Sequence, residues 1–111
     1  MQNQGSQEIT GRFFAAIDQL IQNKVIRGKA TFCKRNEINR RVYYMLEQDN
    51  SRSLFQPSWL TALVRDYKVS PLWLLTGEGN ILRSGWDFES VREFALRAKS
   101  VQPKTDESVN N

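Results

Sequence analysis

Apolar residues recur at spacings of three and four in several separate segments, which is the pattern of amphipathic helices. The first such segment covers residues 9–25. One face of the predicted helix carries the apolar side chains Phe13, Phe14, Ile17, Leu20 and Ile21. The opposite face is polar, with Arg12, Asp18, Gln19 and Gln22. The pattern therefore predicts a first helix with one buried and one solvated side.

Two short helices are predicted next, separated by about four residues. The second helix covers Lys29–Arg35 after Gly28 and offers Ala30, Phe32 and Cys33 to the core. In the connection, Asn36 is a residue type that tolerates a left-handed backbone, and Asn39 is a favourable N-cap. The third helix then covers Arg40–Gln48 and turns Tyr43 and Leu46 toward the core.

Prolines and glycines mark the remaining helices. Pro57 suits the first turn of a fourth helix, and Ser70-Pro71 opens a short fifth helix that Gly77 and Gly79 terminate. A sixth helix is predicted over residues 87–99, with Phe88, Val91, Phe94, Ala95 and Ala98 on one side. No segment alternates as a strand does, so the predicted fold class is all-α.

The 111 residues suit a single domain with short extensions. The predicted organisation is a flexible arm over residues 1–8, a helical domain over 9–83 and a C-terminal helix over 84–100. Residues 101–111 are polar and charged, and a disordered tail is predicted there.

Composition argues against several classes of protein. Cys33 is the only cysteine and there is no histidine, so an internal disulfide, a zinc site of the usual kind and the commonest general base are all lacking. The carboxylates form no pair suited to catalysis, and we expect neither enzymatic activity, a metal, a cofactor nor a small-molecule ligand. No apolar run approaches the ~18–20 residues that span a bilayer, and no signal peptide is visible. The expectation is a cytoplasmic protein without membrane contact.

The excess positive charge is concentrated in one segment. Residues 27–52 hold seven basic and three acidic side chains, a net charge of +4, whereas the rest of the chain is neutral overall. Such a run can be a solvated surface, or it can attract a polyanion. Which of these two interpretations applies depends on where the basic segment lies in the fold.

The basic segment coincides with the second and third predicted helices. Two short helices joined by a tight turn form a helix-turn-helix unit, whose second helix enters the DNA major groove. Arg40 and Arg41 in the first turn oppose the helix dipole, which favours an anion as their partner. Arginine can also bind guanine O6 and N7, or a phosphate, with two hydrogen bonds.

Residues 28–79 resemble the lambda-repressor-like helix-turn-helix family, which comprises Xre-type and phage-repressor DNA-binding domains. Three stretches carry the likeness: residues 38–41 with Leu46-Glu47, residues 59–70, and the Trp-Leu-Leu-Thr-Gly run of residues 73–77. The last is the most specific. The sequence departs from the family at the turn, where Glu37 stands in place of the usual glycine.

The resemblance implies a five-helix DNA-binding domain, here followed by a sixth helix, that acts as a sequence-specific transcriptional regulator on double-stranded DNA. The base-reading positions of the family fall on Arg40, Arg41, Tyr44 and Met45. Its phosphate-contact positions fall on Lys29 and Asn39, and we expect Lys34, Arg35 and Arg52 to add charge toward the backbone.

A single module of this size binds DNA weakly, so a homodimer on two half-sites is expected. The face of the sixth helix with Phe88, Val91 and Phe94 is the candidate dimer contact; the alternative is that this face packs on its own domain. The main rival function is a protein-interaction module on the same fold, such as an antitoxin or accessory factor. RNA binding is less favoured because no exposed aromatic platform is apparent.

Overall fold

The computed structural model describes residues 4–52 and 55–101, and within these ranges the secondary structure is helical. There are six helices: α1 (Gln4–Gln22), α2 (Lys29–Arg35), α3 (Arg40–Gln48), α4 (Pro57–Tyr67), α5 (Pro71–Thr76) and α6 (Phe88–Val101). The described part contains no strand, only one isolated antiparallel bridge between Val69 and Leu82. The predicted all-α class is confirmed. None of the described helices is both long enough and apolar enough to cross a membrane.

Local capping explains why α3 and α5 begin where the sequence predicts. The Asn39 side chain accepts hydrogen bonds from the backbone N–H groups of Arg41 at 2.9 Å and Val42 at 3.2 Å. Ser70 Oγ likewise accepts one from Trp73 N at 3.2 Å. Each cap satisfies N–H groups that have no partner inside the helix.

The first helix begins earlier than predicted. It starts at Gln4, so residues 4–8 are helical and their assignment to a flexible arm was wrong. Thr10 Oγ1 donates to the Ser6 carbonyl at 3.0 Å, which extends the hydrogen bonding one turn upstream of the first core side chain. The spacing of hydrophobic residues cannot predict this first helical turn, because its residues are polar. Residues 1–3, and the tail prediction for 102–111, lie outside the described residues.

An aromatic cluster in the centre of the core joins α1, α3 and α4. The Phe13 ring lies 5.7 Å from Trp59 and 6.2 Å from Tyr43, and its nearest aromatic neighbour is Phe14 at 5.0 Å. Phe13 and Tyr43 have no exposed surface. The cluster therefore fixes α3 against α1 and α4.

Two contacts attach α5 and α6 to the rest of the domain. Arg12 of α1 donates to backbone carbonyls of α5, which corrects its assignment to a purely solvated face. Val91 of α6 is fully buried, and the ring of Phe94 lies under the Lys68 ammonium at 4.2 Å. Part of the apolar face of α6 thus packs on its own domain, as the alternative held, while Phe88 and Phe94 stay partly exposed and the dimer contact stays a prediction.

Candidate nucleic-acid interface

A left-handed residue shapes the turn between α2 and α3. Glu37 has φ 56°, whereas Asn36, the residue predicted to tolerate this conformation, has φ −109°. The Asn36 side chain instead donates to the Phe32 carbonyl at 2.9 Å and so closes the end of α2. After this residue, the backbone N–H of Ile38 donates to the Cys33 carbonyl at 2.8 Å.

The inner faces of the two helices are apolar and buried. Phe32, Cys33, Tyr43 and Leu46 are all fully buried, as the helical spacing predicts, whereas Ala30 is exposed and does not join the core. Burial raises the pKa of the Cys33 thiol, which disfavours the reactive thiolate. Burial also raises the pKa of Tyr43, whose hydroxyl has no hydrogen-bond partner among the described residues.

The outer face is basic and concave. A recess between the helices is lined by Ala30, Thr31, Lys34, Ile38, Asn39, Arg40 and Arg41, which we call the α2–α3 recess. Lys34, Arg40 and Arg41 are exposed. The structure therefore brings together three cations and the cap residue Asn39, all of them predicted site residues.

Lys29 lies at the other end of α2 and is already paired. Its ammonium is 2.6 Å from a Glu47 carboxylate oxygen of α3, and both side chains are largely shielded from solvent. The hydrogen bond to Glu47 raises the pKa of Lys29. Sequence reasoning missed this pair because the partners are 18 residues apart on different helices.

The remaining predicted residues do not line the recess. Tyr44 is 39% exposed and stands edge-on to Tyr43 at 5.5 Å, while Met45 is half-buried. Arg35 faces a second polar hollow together with Glu37 and Arg65. Arg52 is exposed in the segment after α3.

No group of three or more His, Cys, Asp or Glu side chains in residues 4–52 and 55–101 could hold a metal ion. Among known proteins, no family model, curated protein or solved structure matches the chain. The interpretation of the α2–α3 recess therefore rests on its own geometry and charge.

Proposed function

We propose that the chain is a sequence-specific double-stranded DNA-binding transcriptional regulator with a lambda-repressor-like helix-turn-helix fold. One observation carries the proposal. Arg40 and Arg41 are exposed together at the N-terminus of α3 beside Lys34, and no described carboxylate lies within ion-pair distance of the two arginines. Such a cluster is available to a polyanion that follows the recess.

The electrostatics of α3 support an anionic partner. The N-terminus of a helix carries partial positive charge, so two arginines in the first turn repel it. The recess adds Lys34 and has no acidic side chain in its described lining. A phosphate backbone relieves this repulsion, because its oxygens accept hydrogen bonds from guanidinium and ammonium groups.

In the proposed complex, α3 lies in the major groove with its N-terminus toward the bases. Arg40 and Arg41 bind base edges, and Tyr44 and Met45 follow one turn further along the same helix. A two-pronged contact between arginine and guanine contributes about 1–3 kcal/mol of discrimination. Lys34 and Asn39 contact phosphates from the recess, Arg35 and Arg52 add charge toward the backbone, and Lys29 is shared with Glu47.

The rigidity of α3 supports a reading role. Tyr43 and Leu46 anchor the inner side of the helix in the core, with Tyr43 packed edge-on against Phe14 at 5.1 Å. The side chains on the outer side therefore project from a helix whose inner side is anchored in the core. A pre-ordered helix loses less conformational entropy on binding than a mobile one.

The test compares Arg40→Ala with the unchanged protein on two duplexes: one selected from a random pool for binding and one of random sequence. We expect affinity for the selected duplex to fall at least tenfold more than affinity for the random one. Arg83→Ala is the matched control, since Arg83 is an exposed arginine between α5 and α6. Equal losses on both duplexes would limit Arg40 to phosphate contact, and salt-insensitive or absent binding to all duplexes would overturn the proposal.

The second candidate is a protein-interaction module on the same fold. Two half-exposed leucines on α5, Leu72 and Leu75, favour a protein contact somewhere on the domain. The two functions differ in their response to salt. Binding to DNA weakens steeply between low and moderate salt, whereas an apolar protein interface responds little.

A further inference from the structure

The core contains a tyrosine hydroxyl that the proposed function does not use. Tyr43 has no exposed surface, and its hydroxyl oxygen makes no hydrogen bond within residues 4–52 and 55–101. The rings of Phe13 and Phe14, which pack edge-on against Tyr43, carry no polar atom that could accept its proton. A buried hydroxyl in this state destabilises the fold, because it has given up hydrogen bonds to water without replacing them. Such a group therefore calls for a partner in another state of the molecule.

The carboxylate of Glu47 is the acceptor best placed for this hydroxyl. Glu47 follows Tyr43 by four residues on α3, so the two side chains are neighbours on one face of the helix. Burial raises the pKa of Tyr43 most, and the negative charge of Glu47 is the next cause. Asp18 of α1 raises the pKa of Tyr43 as well, but less than Glu47 does, and Asp18 is exposed. Only 23% of the Glu47 side chain is exposed, so its carboxylate needs a donor from the protein.

In the free protein that donor is Lys29. Its ammonium lies 2.6 Å from Glu47 Oε2, while 35% of the Lys29 side chain is exposed. The proposed function shares this ammonium between Glu47 and a phosphate of the duplex. When the ammonium turns toward the phosphate, a largely shielded carboxylate loses its donor, which is unfavourable unless another donor replaces it.

We propose that the Tyr43 hydroxyl is the second donor to Glu47, and that it replaces Lys29 when the ammonium turns toward a phosphate. Tyr43 is then a positioning residue, since it acts on the duplex through Lys29 and does not touch it. The DNA part of this inference rests on the proposed function. The exchange of donors at Glu47 does not, because removal of Lys29 produces the same exchange in the free protein.

The exchange keeps Glu47 hydrogen-bonded in both states. In the free protein Glu47 accepts from Lys29 and the Tyr43 hydroxyl is unpaired. In the complex the hydroxyl donates to the carboxylate and the ammonium donates to the phosphate, and both are charge-assisted bonds. The ring of Tyr43 is held against Phe14 at 5.1 Å and Trp59 at 6.1 Å, so the Glu47 side chain makes the movement. Pairing of the hydroxyl thus offsets part of the loss of the ion pair.

The first experiment needs no DNA and follows thermal unfolding by circular dichroism for Tyr43→Phe, Lys29→Met and the double variant. In the unchanged background, Tyr43→Phe removes an unpaired hydroxyl and should not lower the Tm. In the Lys29→Met background the hydroxyl donates to Glu47, so the same substitution should lower the Tm by about 5 °C or more. Tyr67→Phe is the matched control, because Tyr67 is buried on α4 and its effect should be equal in both backgrounds. Lys29→Ala replaces Lys29→Met if the latter does not fold.

The second experiment measures affinity for the selected duplex at several salt concentrations. Tyr43→Phe should weaken binding by about threefold and make the slope of log affinity against log salt shallower, because Lys29 then stays with Glu47. In the Lys29→Met background, Tyr43→Phe should change neither the affinity nor the slope. The control Tyr67→Phe should leave the slope unchanged in both backgrounds.

The results separate this inference from the proposed function. If Tyr43→Phe has the same effect on the Tm in both backgrounds, the donor exchange does not occur and the inference is wrong, even where the duplex is bound. An unchanged salt slope in Tyr43→Phe also overturns the inference. If no duplex is bound but the effect on the Tm depends on Lys29, the proposed function fails and the donor exchange at Glu47 stands.

Discussion

Arg12 closes the C-terminus of α5 from the middle of α1, with its Nε donating to the Leu74 carbonyl at 2.7 Å. Its Nη2 donates to the Leu75 carbonyl at 3.0 Å, so one guanidinium satisfies two of the carbonyls that a helix end leaves without partners. Gly77, with φ 81°, ends the helix directly beside this guanidinium. The contact joins residues 62 positions apart and fixes α5 on the domain.

Replacing Arg12 with Met should destabilise the domain. The change removes two charge-assisted hydrogen bonds and leaves half-shielded carbonyls unsatisfied, and we expect the free energy of unfolding to fall by about 2 kcal/mol. Urea denaturation followed by circular dichroism measures this change. Arg65→Met is the control, because Arg65 pairs with Asp66 at the exposed surface and should contribute less than about 1 kcal/mol. Similar losses in both variants would contradict the capping role of Arg12.

Replacing Glu37 with Gly should stabilise the domain. A side chain in the left-handed region costs about 1–2 kcal/mol, and glycine avoids this cost but loses about 0.4–1 kcal/mol through its greater freedom in the unfolded chain. The expected net gain in the free energy of unfolding is a few tenths to about 1 kcal/mol. Glu37→Ala keeps the strained backbone and should show no such gain. An equal gain with alanine would attribute the effect to the lost carboxylate.

Lys29 and Lys34 should contribute differently to the salt dependence of DNA binding. Because Glu47 already pairs with Lys29, Lys34→Ala should reduce the slope of log affinity against log salt by about 1, and Lys29→Ala by clearly less. Glu47→Gln releases the Lys29 ammonium and should make the slope steeper. Measurements by fluorescence anisotropy at several salt concentrations give these slopes. Equal reductions for the two lysine variants would show that Glu47 does not restrain Lys29 in the complex.

Acid should weaken α6 through Asp87. Its Oδ1 accepts the Ser90 N–H at 2.8 Å, while Ser90 Oγ accepts the Asp87 N–H at 3.0 Å, and the bonds from Ser90 lower the pKa of Asp87. A carboxyl whose pKa is lower in the folded state stabilises that state above its unfolded pKa, and this contribution is lost as pH falls through the folded value.

Asp87→Asn should therefore flatten the decline of Tm between about pH 5 and pH 2. Thermal melts followed by circular dichroism provide the comparison. Glu93→Gln, which changes an exposed carboxylate in the middle of the same helix, is the control and should leave the decline unchanged. If the Asp87 variant declines as steeply as the unchanged protein, the cap does not contribute to the pH dependence.

The sequence predicts helix positions well where the determinant is local. Asn39 and Ser70 directly precede the helices that they cap, and Pro57 is the first residue of α4, so the starts of α3, α4 and α5 follow from local residues. The start of α1 does not, because residues 4–8 are polar and their helical state depends on backbone hydrogen bonds. The left-handed conformation of Glu37 was not predicted either. The Asn36 side chain donates to the Phe32 carbonyl, and the left-handed position falls one residue later, at Glu37.

The residues of the candidate site likewise fall into two groups: those that the sequence could place and those that it could not. The helical period of α3 is enough to place Tyr43 inside and Arg40 and Arg41 outside, since these residues belong to one element. The Lys29–Glu47 pair depends on how separate helices cross. Such crossings are set by packing between distant parts of the chain, which spacing within one helix does not encode.

The split of α3 into an anchored side and a projecting side has an evolutionary consequence. Substitutions at Arg40 or Arg41 leave the buried anchor Tyr43 untouched, so they should preserve the fold. Under the proposed function, new target preferences would then arise by exchange of a few outward residues on an unchanged scaffold. The same property makes this helix a suitable starting point for engineered specificity.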